Sequence, residues 1–124
     1  TCTRCVDACP TRAITGTRTV NAGKCISYLT IENKGEIPDK FKGLFKNRVF
    51  GCDICQDVCP WNNRAVQHAE KDLDPLPGLL QMKKEDWYAL DEEKFNLIFR
   101  ESPLKRAKFM GLKRNLVFLE ENKT

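Results

Sequence analysis

The chain contains seven cysteines, all between Cys2 and Cys59. Six fall in two runs of the same design, Cys2-Thr-Arg-Cys5-Val-Asp-Ala-Cys9-Pro10 and Cys52-Asp-Ile-Cys55-Gln-Asp-Val-Cys59-Pro60, and Cys25 stands alone between them. Thiolates are soft ligands for transition metals and, in an oxidising compartment, partners in disulfides. An odd count, lysine-rich intervening segments and the lack of a charged start followed by an apolar stretch all argue against disulfides. Zinc can use C-x2-C pairs. It has no use for a further cysteine after an x3 step, for the proline that follows, or for seven thiols.

Iron–sulfur cubanes account for all of these features. In bacterial ferredoxins the run is C-x2-C-x2-C-x3-C-P, and its last cysteine ligates the other cluster. The close pair wraps one cubane, the x3 step carries the last cysteine away from it, and the proline fixes the turn while donating no hydrogen bond. The cysteine expected three residues before Cys2 would precede Thr1. The equivalent position in the second run is Val49, which cannot bind iron, so Cys25 is the candidate to replace it. The crossed assignment gives Cys2, Cys5 and Cys59 to one cluster, with its fourth ligand before Thr1, and Cys9, Cys25, Cys52 and Cys55 to the other. A structural role for Cys25 is the alternative. Val6, Ile14, Ile54, Val58 and Trp61 would keep water from the clusters or serve as ordinary core.

These ligands need short elements to hold them. Ala13-Ile14 and Thr19-Val20 flank Gly16 and predict a small hairpin. Asn21 can cap a short helix into Cys25, and Ile26–Ile31 is strand or buried helix. Residues 38–46 read as a surface helix with Phe41, Leu44 and Phe45 on one side. Residues 62–81 are polar, and Asp74-Pro75-Leu76-Pro77-Gly78 reads as a linker or ordered loop. From about Lys84 onward the pattern is helical. Asp91 caps a helix through Phe95, Leu97, Ile98 and Phe99. Ser102-Pro103 opens another, ending near Gly111, and a last helix runs from about Lys113 to Glu121. The expected fold class is α+β, a two-cluster ferredoxin-like module over residues 1–65 followed by a short α-helical, HEAT-like tail over 66–124. With 124 residues, 41% hydrophobic and 31% charged, the chain is neither disordered nor a membrane protein. Its apolar runs fall far short of the roughly 20 residues that span a bilayer. A start at Thr1, one residue before a cysteine, suggests a piece of a longer protein.

Four segments are more particular than a plain ferredoxin. They are Ala8-Cys-Pro-Thr-Arg-Ala-Ile14, Cys25-Ile-Ser-Tyr-Leu-Thr-Ile-Glu32, Phe50-Gly-Cys-Asp-Ile-Cys-Gln-Asp-Val-Cys-Pro-Trp-Asn62 and Gly111-Leu-Lys-Arg-Asn115. Together they resemble the epoxyqueuosine reductases, most densely over residues 2–62. The resemblance implies an oxidoreductase that uses cobalamin and two 4Fe–4S clusters to reduce epoxyqueuosine to queuosine in a tRNA anticodon loop. It implies a missing upstream half that supplies most of the cobalamin pocket and the acidic proton donor, so no catalytic residue is expected here and the chain alone should not turn over. It also implies that residues 25–32 and 51–53 approach the corrin, with Ser27, Gly51 and Asp53 as cobalamin candidates. The plain alternatives are a helix cap for Ser27 and an exposed carboxylate for Asp53.

The formal charge of +4 and pI near 8.7 are only mildly basic. However, Lys105, Arg106, Lys108, Lys113 and Arg114 crowd into ten residues. Alone, such a run is usually a solvated face. With the resemblance it becomes a candidate tRNA backbone contact, since phosphate neutralisation supplies most nucleic-acid affinity. Arg114-Asn115 faces substrate or caps a helix hairpin, Trp87, Tyr88 and Phe109 are expected to pack, and His68 stands in a polar stretch. The expected partners are epoxyqueuosine-bearing tRNA and an external electron donor, in a cytoplasmic monomer without a membrane. The rival functions are a generic two-cluster ferredoxin domain, a piece of a reductive dehalogenase-like corrinoid enzyme, and an RNA-binding helical module stabilised by structural metal.

Overall fold

A computed structural model of the chain describes residues 2–16 and 18–121. The arrangement is α+β and helix-rich, with one small sheet among the described residues. The first cysteine run forms α1 (Arg4–Ala8), followed by strands β1 (Ile14–Gly16) and β2 (Thr19–Val20). The strands pair antiparallel with Ile14 opposite Val20, and the Asn21 amide extends the ladder to the Ala13 carbonyl at 2.8 Å. The predicted hairpin is therefore present. A 3-10 turn, Ala22–Lys24, follows Asn21, whose side chain makes no capping bond.

Ile26–Ile31 is helix α2, with Ile26, Leu29 and Thr30 buried. Burial decides between strand and helix here, because one face of this segment packs against Ile37, Phe41, Phe45 and the distant Phe118. The surface helix expected over 38–46 is a correction. Only a 3-10 turn, Asp39–Phe41, forms, while Phe41 and Phe45 are buried in the core. Gly43 has φ +77° and Lys46 φ +53°, and left-handed residues cannot continue a right-handed helix. The second cysteine run forms α3 (Ile54–Asp57). Residues 61–75 are exposed and carry only 3-10 turns.

The last third contains α4 (Lys84–Tyr88), α5 (Glu92–Ile98) and α6 (Lys108–Glu120). Asp91 caps α5 as expected, its Oδ1 accepting the Lys94 amide at 2.7 Å. That bond holds the Asp91 carboxyl below its usual range, against the opposing effect of desolvation. Ser102 accepts the Leu104 amide, with Pro103 in the first turn, but the element is a 3-10 turn ending at Arg106. The predicted break at Gly111 is absent, because α6 runs through it. Gly111 lies inside the helix, and a Cβ there would meet the Ala107 Cβ in ordinary contact at 3.5 Å. Leu90, Phe95, Phe99, Leu112 and Leu116 form a second buried cluster, with Trp87 stacked on Phe99 at a centroid distance of 5.8 Å. No helix among the described residues is long and apolar enough to cross a membrane.

Candidate metal centre

Each cysteine run is built on a short helical turn. In the first, the Thr3 carbonyl accepts the Val6 and Asp7 amides, and the Thr3 hydroxyl donates to Asp7 at 2.7 Å. Cys5 lies inside α1, and Cys9 leaves it in extended conformation. In the second, Asp53 stands at the start of α3, Cys55 lies inside, and Cys59 follows. The Asn62 side chain donates to the Gln56 carbonyl and amide oxygen, both at 2.9 Å, which closes the turn around Cys59-Pro60. Helices α1 and α3 pack against each other, so the two runs face one another. Cys25 enters at the start of α2, where its carbonyl accepts the Leu29 amide.

All seven are thiols without a disulfide. Burial pushes the Cys55 thiol up, and negative charge on Cys52, Cys25 and Cys9 pushes it further in the same direction. Four thiols from three separate segments are thus electrostatic neighbours. Cys9 differs. Burial raises it too, but the amides of Ala13, Ile14 and Thr11 and the Thr11 hydroxyl outweigh this and bring it down. The Ala13 amide lies 3.2 Å from the Cys9 sulfur. Donors of this kind stabilise thiolate and tune the potential of a cluster bound to it. Among the described residues no three His, Cys, Asp or Glu side chains converge tightly enough for a single ion; a cubane requires its thiolates spread over four corners. The thiol grouping and the N–H donors to sulfur suit such a cluster.

Ser27, Gly51 and Asp53 lie on two segments that are tied together. The Ser27 hydroxyl donates to the Cys52 carbonyl at 3.2 Å, and the Gly51 amide donates to the Thr30 hydroxyl at 3.0 Å. Gly51 has φ +72°, with open space where a Cβ would stand. The Asp53 side chain is exposed and makes no capping bond.

The basic residues divide. Lys105, Arg106 and Lys108 are exposed, with Lys105 reaching Asn96 and Arg106 paired to Glu32. Lys113 donates to the Tyr88 carbonyl at 2.6 Å and sits over the Phe109 ring. Arg114 points inward, donating to the carbonyls of Leu29 in α2 and of Asn33 and Gly35 beyond its end, and burial lowers its pKa. His68 is exposed and accepts the Glu70 amide. Sequence reasoning missed Thr30 entirely and left Asn115 open between substrate and hairpin. Asn115 is 1% exposed. The signal for it was the period of α6: Asn115 falls on the same inner face as Leu112, Leu116 and Phe118.

The 4Fe-4S double cluster binding domain family matches residues 1–62, half of the chain. The chain belongs to that family. Its relatives sharpen the class: it is 51% identical over 97% of its length to an epoxyqueuosine reductase of Cellulophaga algicola and 52% identical over 97% to that of Cyclobacterium marinum. It spans 39% and 38% of those two proteins. Among solved structures it matches an epoxyqueuosine reductase with an epoxyqueuosine-modified tRNA stem loop (TM-score 0.87, 33% identity), covering 98% of this chain and 32% of that one. It also matches the Streptococcus thermophilus enzyme (TM-score 0.81, 33% identity), covering 98% of this chain and 31% of that one.

Proposed function

We propose that this chain is the iron–sulfur part of an epoxyqueuosine reductase, holding two 4Fe–4S clusters that deliver electrons for reduction of epoxyqueuosine to queuosine in tRNA. The observation that carries the reading is the packing of α1 against α3, which sets the two cysteine runs face to face, with Cys9, Cys25 and Cys52 near enough to Cys55 for their charge to raise its thiol. This arrangement joins both cysteine runs to the lone cysteine, as crossed ligation requires. Those four residues would hold one cluster. Cys2, Cys5 and Cys59 would hold the other, with a fourth ligand that these seven cysteines do not supply. When bound, the clusters take up and release single electrons. The protein's part is to hold the thiolates, donate N–H groups to sulfur and exclude water.

Cobalamin is the acceptor in this reading, and when bound it supplies the reducing metal. Ser27, Gly51 and Asp53 are the residues proposed to face it, and their support is the tie between the start of α2 and the 51–53 loop. For tRNA, the outward Lys105, Arg106 and Lys108 are proposed as the phosphate contacts, while Lys113 and Arg114 hold the scaffold behind them. Residues 1–65 form the cluster module and 66–124 a HEAT-like helical tail. The parent enzyme works as a cytoplasmic monomer fed by an external electron donor.

Anaerobic reconstitution tests the core of the reading. Roughly eight irons are expected from two four-iron clusters in the full-length protein, where the fourth ligand of the Cys2, Cys5 and Cys59 cluster would be present. Preferential uptake of zinc overturns it. For the substrate, charge reversal at Lys105, Arg106 and Lys108 in the full-length protein should weaken tRNA binding and flatten its salt dependence. Unchanged binding at moderate salt removes the tRNA assignment.

A further inference from the structure

Helix α6 begins 49 residues beyond the last cysteine, Cys59, yet it reaches both segments that carry the middle ligands. The Asn115 side-chain amide donates to the Thr30 carbonyl at 2.8 Å and to the Val49 carbonyl at 2.9 Å. Its own oxygen accepts from Arg114 at 2.8 Å. One fully buried side chain therefore bridges α2, which follows directly on Cys25, and the stretch of chain that leads into Cys52.

Thr30 continues the link. Its hydroxyl donates to the Ile26 carbonyl at 2.7 Å and accepts the Gly51 amide at 3.0 Å. Both of its hydrogen-bonding roles are used, at a position with 0% exposure. The Cys52 side chain packs against the apolar cluster that joins Ile26, Leu29 and Phe45 to Phe118 of α6. Buried polar groups held this way fix one geometry, because any other leaves a carbonyl or amide unpaired.

We propose that Asn115 and Thr30 are positioning residues for the cluster held by Cys9, Cys25, Cys52 and Cys55, acting through the Val49–Gly51 backbone to set the Cys25-to-Cys52 geometry and keep water from it. The inference rests on the iron–sulfur reading above. Reduction adds negative charge to a cluster, and water stabilises the more charged form. Loosening this brace therefore raises the midpoint potential of that cluster and leaves the other unchanged.

The test is an EPR-monitored redox titration of the iron-loaded protein. Asn115→Leu and Thr30→Val are expected to shift one of the two reduction steps upward, and Thr30→Ser, which keeps the hydroxyl, to restore it. Leu112→Ala is the control for plain destabilisation. It empties a buried site on the same helix but in the other core cluster, and should lower the melting temperature without moving either potential. Full iron with both steps unmoved in Asn115→Leu and Thr30→Val overturns the proposal. So does an equal shift in Leu112→Ala. Failure of the parent protein to bind iron would instead sink the iron–sulfur reading, so the two failures are distinguishable.

Discussion

The turns that carry most of the cysteines and the helices that follow them are held by different forces. Helices α1 and α3 contain no buried residue, and neither exceeds five residues in length. The α4–α6 region is built on Phe95, Phe99 and Leu112, each at most 1% exposed, with Trp87 and Phe109 against them. Isolated helices this short are marginal in water. The contrast says that apolar packing holds the second region, while in the first metal ligation must supply much of the folding energy. Between them, α2 and the 37–45 segment share a core with Phe118 of α6, which makes that helix the common wall.

Iron removal probes this contrast most severely. Chelation under reducing conditions should bring the amides of α1, the hairpin and α3 to near-unfolded exchange rates, while those of α5 and α6 keep most of their protection. Uniform loss of protection would show that both regions stand on the same support. The next largest effect is expected for Cys59→Ser. Although it lies in the second run, crossed ligation assigns it to the cluster of Cys2 and Cys5, so iron should fall to about half with the cluster of Cys55 retained. Loss of the Cys55 cluster instead would mean that each run serves its own cubane.

On the apolar side, Phe99→Ala should cost ~3–5 kcal/mol, the usual range for a buried aromatic, read as a lower urea midpoint. The iron content of the protein that remains folded should not change. The smallest effect belongs to the Arg106–Glu32 pair that ties the basic segment to the end of α2. Hydrogen bonding from Arg106, ahead of its charge, holds the Glu32 carboxyl below its usual range. Its contribution is therefore present above the pKa of a free carboxylate and is lost as pH falls through the lowered one. Any melting-temperature gap between wild type and Glu32→Gln should close on acidification and shrink with salt, because both groups are exposed.

Local chemistry was legible where it was self-contained. The hairpin around Gly16, the Asp91 cap and the start of the helical region near Lys84 each follow from a few adjacent residues, and each is present. The failures came where a distant contact or a backbone angle overrode a local pattern. Periodicity over 38–46 suggested a helix, but left-handed Gly43 and Lys46 break it, and Phe41 and Phe45 reach the core from a 3-10 turn and a loop. Gly111 looked like a stop, yet α6 passes through it, with Phe109, Leu112 and Leu116 on either side of it packed into the aromatic core.

The cysteine spacing needed no tertiary structure to be read as a two-cubane pattern, since ligand reach depends on a few intervening residues and on where proline fixes the turn. The roles of Arg114 and Asn115 could not be had that way. A polar side chain on an apolar helix face must bond something, but only the folded chain shows that Arg114 closes the end of α2 and that Asn115 spans Thr30 and Val49. Those partners lie 66 and more positions away in sequence, and no local rule of spacing or propensity carries information over that separation.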